Sequence, residues 1–184
     1  KKTGGKMHGF QIWVNLPAKN KMMAPRYQEI SAQESPTIEK NGVWARVIAG
    51  ECMGISSSID TVIPITLIHV KMKKGAQLIQ HLESNLNSMI YVFAGNVSIL
   101  RETGVKTRPQ VFGLGVKQSI NDGELGVLSE GEKIVIESNM SSEFLILSGP
   151  ELNEPIARYG PFVMNTREEI QQAFFDYQNG TLGN

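Results

Sequence analysis

Cysteine is almost absent: Cys52 is the single one in 184 residues. That excludes an internal disulfide framework and fits a reducing compartment. Net charge is also lacking, because eighteen Lys and Arg cancel eighteen Asp and Glu. Without a block of one sign there is no long-range pull toward nucleic acid or an anionic bilayer, so neither is expected as a direct partner. No apolar run reaches the ~20 residues needed to cross a membrane. The basic start Lys1-Lys2-Thr3-Gly4-Gly5-Lys6 is not followed by the apolar stretch of a secretory leader. A soluble, intracellular protein is therefore expected, cytoplasmic, and nuclear as well if the source is eukaryotic. Histidines number three, too few and too scattered for a His-rich metal cluster. The Walker loop, the Gly-x-Gly-x-x-Gly turn and the Gly-x-Ser-x-Gly elbow are all missing.

What remains is alternation. Val43 to Ala49 reads as a strand opened by the Asn41-Gly42 turn. Val62 to Met72 is a long β-branched run in which Pro64 suggests an edge or a bulge. Leu78 to Leu82, Ser88 to Ala94, Val97 to Leu100, Leu125 to Leu128, Ile134 to Glu137 and Phe144 to Leu147 follow, with Gly95-Asn96 as a hairpin dipeptide. Gln11 to Leu16 reads as one further strand, whereas residues 18 to 42, with Pro25 and Pro36, read as a connector. Residues 102 to 122 read as a loop excursion. Many short strands with Gly and Asn turns imply a mainly β protein, a barrel or sandwich.

One helix is expected, at the end. Thr166 and Glu169 have the spacing of a capping box. Ile170, Ala173, Phe174 and Tyr177 fall on one stripe, and Asn179-Gly180 ends the helix. Three domain segments follow: 1–42, a remnant strand and connector; 43–160, the barrel; 161–184, a helix packed on it.

Two strings carry more than a pattern. Gly160-Pro161-Phe162-Val163-Met164-Asn165-Thr166, running into Glu168-Glu169-Ile170, resembles the C-terminal signature of pirins. His8-Gly9-Phe10-Gln11-Ile12-Trp13-Val14-Asn15-Leu16-Pro17 resembles the phrase that closes the first of that family's two cupin barrels. Pro25-Arg26-Tyr27-Gln28-Glu29-Ile30 and Leu152-Asn153-Glu154-Pro155-Ile156 extend the likeness. The implied fold is a cupin-type jelly roll, the C-terminal barrel of a bicupin.

Cupins hold a metal through two short motifs, and the glycine frame of both is recognisable. Gly75 is followed after five residues by His81 and, two positions on, by Glu83; Ser88 stands where the motif places its Glu, and Gly95 closes it. Gly123 is followed after five residues by Ser129-Glu130-Gly131, and Ile134 occupies the place of the last histidine. A mononuclear site needs three or four protein ligands. His81 and Glu83 are weak remnant candidates for metal ligation, and no catalytic or cofactor-binding residue is assigned. His69, inside Leu67-Ile68-His69-Val70, reads as a hydrogen-bonded structural imidazole, and Cys52 as a small buried hydrophobe.

The resemblance implies iron in complete family members, held in the N-terminal barrel, with quercetin 2,3-dioxygenase-like activity in some and a transcription-cofactor role in eukaryotic ones. No cofactor is expected on this chain, because the family's ligand-bearing segments lie before the phrase that starts at His8. The expectation is a non-catalytic binding or regulatory module. Two alternatives stand: part of an iron-dependent pirin-type dioxygenase whose active barrel lies upstream, or an iron-dependent transcriptional cofactor. A small-molecule pocket inside the barrel is a further possibility. The strand 11–16, parted from its sheet neighbours, is expected to dock a protein partner or a second copy.

Overall fold

The computed structural model describes residues 4–5, 7–100, 117–129 and 131–182. They fall into two compact units: residues 27–151, and residues 1–26 together with 152–184.

The larger unit is a cupin-type pair of antiparallel sheets. The six-stranded sheet runs β1 (Thr37–Lys40), β2 (Val43–Ala49), β5 (Thr66–Met72), β12 (Ser142–Pro150), β7 (Leu86–Ala94) and β10 (Leu125–Val127). The four-stranded sheet runs β6 (Gln77–His81), β11 (Lys133–Ser138), β8 (Asn96–Leu100) and β9 (Lys117–Asn121). A small ribbon, β3 (Glu51–Cys52) with β4 (Ile55–Ser56), follows β2.

Alternation sets which side chains turn inward. In β2, Val43, Ala45, Val47 and Ala49 are buried while Trp44, Arg46 and Ile48 between them are not. Ile68, Val70 and Met72 of β5, Ile90 and Val92 of β7, and Phe144 and Ile146 of β12 complete the inner face of the large sheet. Leu78, Val97, Ile120, Ile134 and Ile136 answer from the small one. Each such aliphatic side chain contributes about 1.5–3 kcal/mol when fully buried. Cys52 is among them, 1% exposed, and burial first, then the neighbouring Glu51 charge, pushes its thiol up to about 11. It is a packed hydrophobe, not a reactive thiol.

Several boundaries differ from the sequence reading. Thr37–Lys40, inside the expected connector, pairs with β2 from Thr37↔Arg46 to Lys40↔Val43. The expected boundary after residue 42 therefore falls inside one β-hairpin. The run from Val62 becomes a strand only at Thr66, past Pro64, and lies between β2 and β12 rather than at an edge. Of the expected 102–122 excursion, residues 102–116 lie outside the described residues, and Lys117–Asn121 is a strand paired with β8.

In the smaller unit, β13 (Ala157–Tyr159) and β14 (Phe162–Met164) form a hairpin that leads into α1 (Arg167–Asn179). Both bonds of the capping box form: Thr166 Oγ1 accepts from the Glu169 N–H at 3.2 Å, and the Glu169 carboxylate accepts from the Thr166 N–H at 3.0 Å. Gly180 caps the other end in the left-handed region, φ 70°. Ile170 and Ala173 are buried with Phe162, and the Phe174 ring stands edge-on to Phe162 at 4.8 Å, whereas Tyr177 is exposed. Residues 11–16 form no strand. The alternating pattern is there, but a strand also needs a hydrogen-bonding neighbour. Instead the segment is tied down by side chains. Lys21 Nζ donates to Asn15 Oδ1 at 2.6 Å, the Arg158 guanidinium lies 5.9 Å from the centre of the Trp13 ring, and the Glu154 carboxylate accepts from both the Ala18 N–H, 2.7 Å, and Asn165 Nδ2, 3.0 Å.

Gly95 marks a tight approach to backbone in the larger unit. A Cβ there would stand 2.4 Å from the Ser141 carbonyl oxygen, on a backbone with φ +84°. Gly123 has a similar φ, +81°, with open space around it. Gly95→Ala is expected to cost about 3 kcal/mol or more, from backbone strain plus the clash, and Gly123→Ala only about 1 kcal/mol from strain alone. Urea denaturation of both variants checks this; equal losses would show that the approach at Gly95 does not matter.

Candidate functional site

The interior is the first place to look, since the cupin frame points there. In β6 the buried positions are Leu78 and Gln80, while Gln77, Ile79 and His81 face out. His81 and Glu83 are both exposed. The spacing counted from Gly75 thus meets the pleat one residue out of phase. What faces inward at the frame is Gln80, 4% exposed, Ser88, 6%, and Ile134, 6%. Gln80 Nε2 donates to the Glu51 and His81 carbonyls, both at 2.9 Å. Gln80 Oε1 and Ser88 Oγ are buried without a hydrogen-bond partner among the described residues. Two neutral oxygens beside an isoleucine do not fit iron, which prefers imidazole and carboxylate. No group of three or more His, Cys, Asp and Glu that could hold an ion occurs among the described residues.

The outer face of the six-stranded sheet carries the chemistry instead. Cross-strand register lines up two rows. One runs Glu39, Trp44, Lys71, Glu143 across β1, β2, β5 and β12; the next runs Thr37, Arg46, His69, Leu145, Tyr91. Glu143 is the hub. Its Oε1 accepts from Lys71 Nζ at 3.1 Å and its Oε2 stands 3.3 Å from His69 Nε2. The His69 ring meets Trp44 edge-on at 5.3 Å and Phe93 at 5.6 Å. Arg46 and Lys71 lie over the Trp44 ring, 5.4 and 5.6 Å from its centre, within cation–π range. A cleft of about 580 Å³ opens here, with Glu39, Trp44, Arg46, His69, Lys71 and Lys73 among its walls.

Burial pushes the His69 imidazole below its ordinary value, against the pull of Glu143 and helped by the Lys71 and Arg46 charges. Burial alone would raise the Glu143 carboxyl; the bonds and charges of Lys71 and His69 overcome it and hold it low. At neutral pH the pair is therefore a neutral imidazole facing a carboxylate. Since a carboxylate only accepts, His69 Nε2 carries the hydrogen.

Sequence reasoning gave His69 a structural, hydrogen-bonded role but did not bring it together with Trp44, Arg46, Lys71 and Glu143. Trp44, Arg46, His69 and Lys71 alternate at outward positions of β2 and β5, and that parity was the available signal. Glu143 lies 74 residues from His69 in sequence, and nothing local pairs them. His8, the third histidine, lies in the other unit, its ring 5.1 Å from Phe10.

A pH dependence follows. Both groups have folded-state values below the unfolded ones, so the unfolded chain binds protons first and acid favours it. The His69 contribution is complete above its unfolded value of 6.5 and is lost as pH falls through the folded value. The Glu143 contribution starts to go below 4.5. Denaturation between neutral and mildly acid pH should show a fall in stability that His69→Gln flattens; an unchanged slope would contradict the burial of this imidazole. Glu143→Gln should cost no more than about 1 kcal/mol at neutral pH, because the Lys71 pair is open to solvent.

Comparison with known proteins agrees with this architecture. Residues 67–183 match the family model of the pirin C-terminal cupin domain. Pirin of Mus musculus is 37% identical over 178 residues, covering 96% of this chain and 57% of the relative. A pirin-like protein of Solanum lycopersicum is 35% identical, with 97% and 58% covered. A crystal structure of quercetin 2,3-dioxygenase from Acinetobacter baumannii superposes with a TM-score of 0.77 at 31% identity, over 94% of this chain and 56% of that one. The chain thus spans little more than half the length of these relatives. Among the described residues, no helix is long and apolar enough to cross a membrane. With the matched cupin domain and pirins that align along nearly its whole length, the chain belongs to the pirin family.

Proposed function

We propose that this chain is a non-catalytic binding and regulatory module of a pirin-type protein. The observation that supports it is the donor set at the cupin frame: Gln80, Ser88 and Ile134 face the interior, and His81 and Glu83 face solvent. A dioxygenase reaction needs a metal with several strong donors and an open position; this interior offers amide and hydroxyl oxygens amid aliphatic packing.

The binding surface in this reading is the segment from His8 to Leu16. Trp13, 59% exposed, and Val14, 48%, stand out beside Phe10 and Ile12, an apolar stretch of the kind that partners cover. Its partner is a protein segment or a second copy of the chain.

The second reading is that the chain serves a larger iron-dependent enzyme of the quercetin 2,3-dioxygenase kind, with the reactive barrel upstream. It draws on the likeness to the Acinetobacter baumannii structure, of which this chain matches 56%.

Iron(II) incubated with the purified chain and then desalted should remain below about a tenth of an equivalent, with no oxygen uptake on quercetin above the iron blank. A full bound equivalent, or quercetin-dependent uptake, would overturn the non-catalytic reading. For the surface, sedimentation should show association that weakens in the double variant Ile12→Ser, Trp13→Ser. A wild-type chain that stays monomeric and recovers no partner segment would count against it.

A further inference from the structure

We infer that the cleft on the outer face of the six-stranded sheet is a binding site for a small organic carboxylate with an apolar body, held by Arg46. The site is separate from the interior, and it stands whether or not the chain takes part in catalysis.

The argument starts from charge. Three cations, Arg46, Lys71 and Lys73, and two carboxylates, Glu39 and Glu143, line the cleft. Glu143 is already engaged by Lys71 and His69. Arg46 makes no ion pair among the described residues; its guanidinium has the Trp44 ring as its neighbour. Moreover, Arg46 Nε is buried and has no hydrogen-bond partner among the described residues. A desolvated N–H of a charged group that points at no acceptor is costly, and folded proteins rarely leave one so. The guanidinium lies on the cleft wall and its planar fork matches a carboxylate with two parallel bonds; a rotation of the side chain that opens the buried Nε–H to the anion would satisfy it.

The walls say what kind of anion. Trp44 and the His69 ring give the cleft its apolar surface. His69 is neutral and its Nε2–H is committed to Glu143, so it adds a flat face rather than a charge. A volume of about 580 Å³ is in the range of small-molecule sites. Apolar walls with one partly desolvated guanidinium, Lys71 being bound to Glu143 and Lys73 exposed to solvent, favour an organic carboxylate over inorganic phosphate, which would prefer several converging donors and no hydrophobic surface.

Benzoate is the probe, with inorganic phosphate as the comparison. The protein is the full chain carrying Trp13→Phe, so that Trp44 is the single fluorophore of its kind. Benzoate is expected to change Trp44 emission saturably and to shift the Arg46 Nε–H resonance. Arg46→Gln and Arg46→Lys should each weaken it about tenfold or more, the size of one charge-assisted hydrogen bond. The lysine variant matters because it keeps the charge and loses the fork. If Arg46→Lys binds benzoate as well as the parent does, a general positive field is responsible and the inference fails. It fails too if phosphate binds more tightly than benzoate, or if neither perturbs Trp44. Thermal melting of both variants near the parent value confirms that a loss of binding is not a loss of fold; if both melt early, Trp44→Leu, expected to weaken benzoate while leaving Arg46 in place, decides with the resonance shift as readout.

Discussion

Pleat phase is the constraint on which the rest of this molecule depends. Strands β2 and β5 pair from Val43↔Met72 through Val47↔Ile68, and in both the aliphatic set faces the opposite sheet. A slip of one residue would turn Val43, Ala45, Val47, Ile68 and Val70 to the outside and bring Trp44, Arg46, His69 and Lys71 into the core. Burying those cations unpaired is far more costly than any contact they could make there. The register is therefore fixed by the interior, and the outer cluster is its consequence. β12 extends the same logic, since Phe144 and Ile146 point in while Glu143 is left outside to meet Lys71 and His69.

The same phase explains the state of the cupin frame. The glycine bends persist: Gly95 lies against the Ser141–Ser142 backbone, and the Ser142 hydroxyl accepts from the Asn96 N–H at 3.1 Å and donates to the Asn96 carbonyl at 3.0 Å. These bonds hold the β7–β8 hairpin without reference to any ligand. Turn geometry and ligand geometry are thus separable in this fold. Bends answer to backbone sterics and local hydrogen bonds, whereas chelation needs particular side chains at inward positions. Here Gln80, Ser88 and Ile134 occupy such positions, and the turns hold without them.

How much of this was legible in the sequence depends on whether a feature is local. β2 is legible with its observed bounds because its alternation is uninterrupted and Asn41-Gly42 precedes it. α1 is legible because Thr166, Glu169 and Gly180 mark both ends. β1 is not, since Thr-Ile-Glu-Lys after Pro36 has no apolar signature and is a strand only because β2 offers it an edge. Residues 11–16 show the converse, a strand pattern with no pairing strand among the described residues. His81 and Glu83 were counted correctly from Gly75, but counting residues does not reveal where a strand sets its pleat. The outer cluster was out of reach because it joins β2, β5 and β12, whose neighbourhood is a matter of sheet order.

The smaller unit shows why the two most telling strings of the sequence are far apart in the chain. The phrase beginning at His8 and the phrase ending in Ile170 belong to one compact body. Glu154 links them, accepting from the backbone at Ala18 and from the side chain of Asn165. Asn165 in turn donates its own N–H to the Glu169 carboxylate at 2.8 Å, so that one side chain serves both the capping box and the residue before it. Trp13 beneath Arg158 adds a second tie. Each of these contacts uses a residue of a particular type at a fixed place, Glu for reach and charge, Asn for a donor beside a helix start, Trp for a face. None of them depends on strand pairing. Residues 8–26 therefore keep a defined path through side-chain contacts and one short 3-10 turn, Ala18–Asn20, and the apolar side chains of Phe10, Ile12 and Val14 are exposed where no strand among the described residues pairs with the segment.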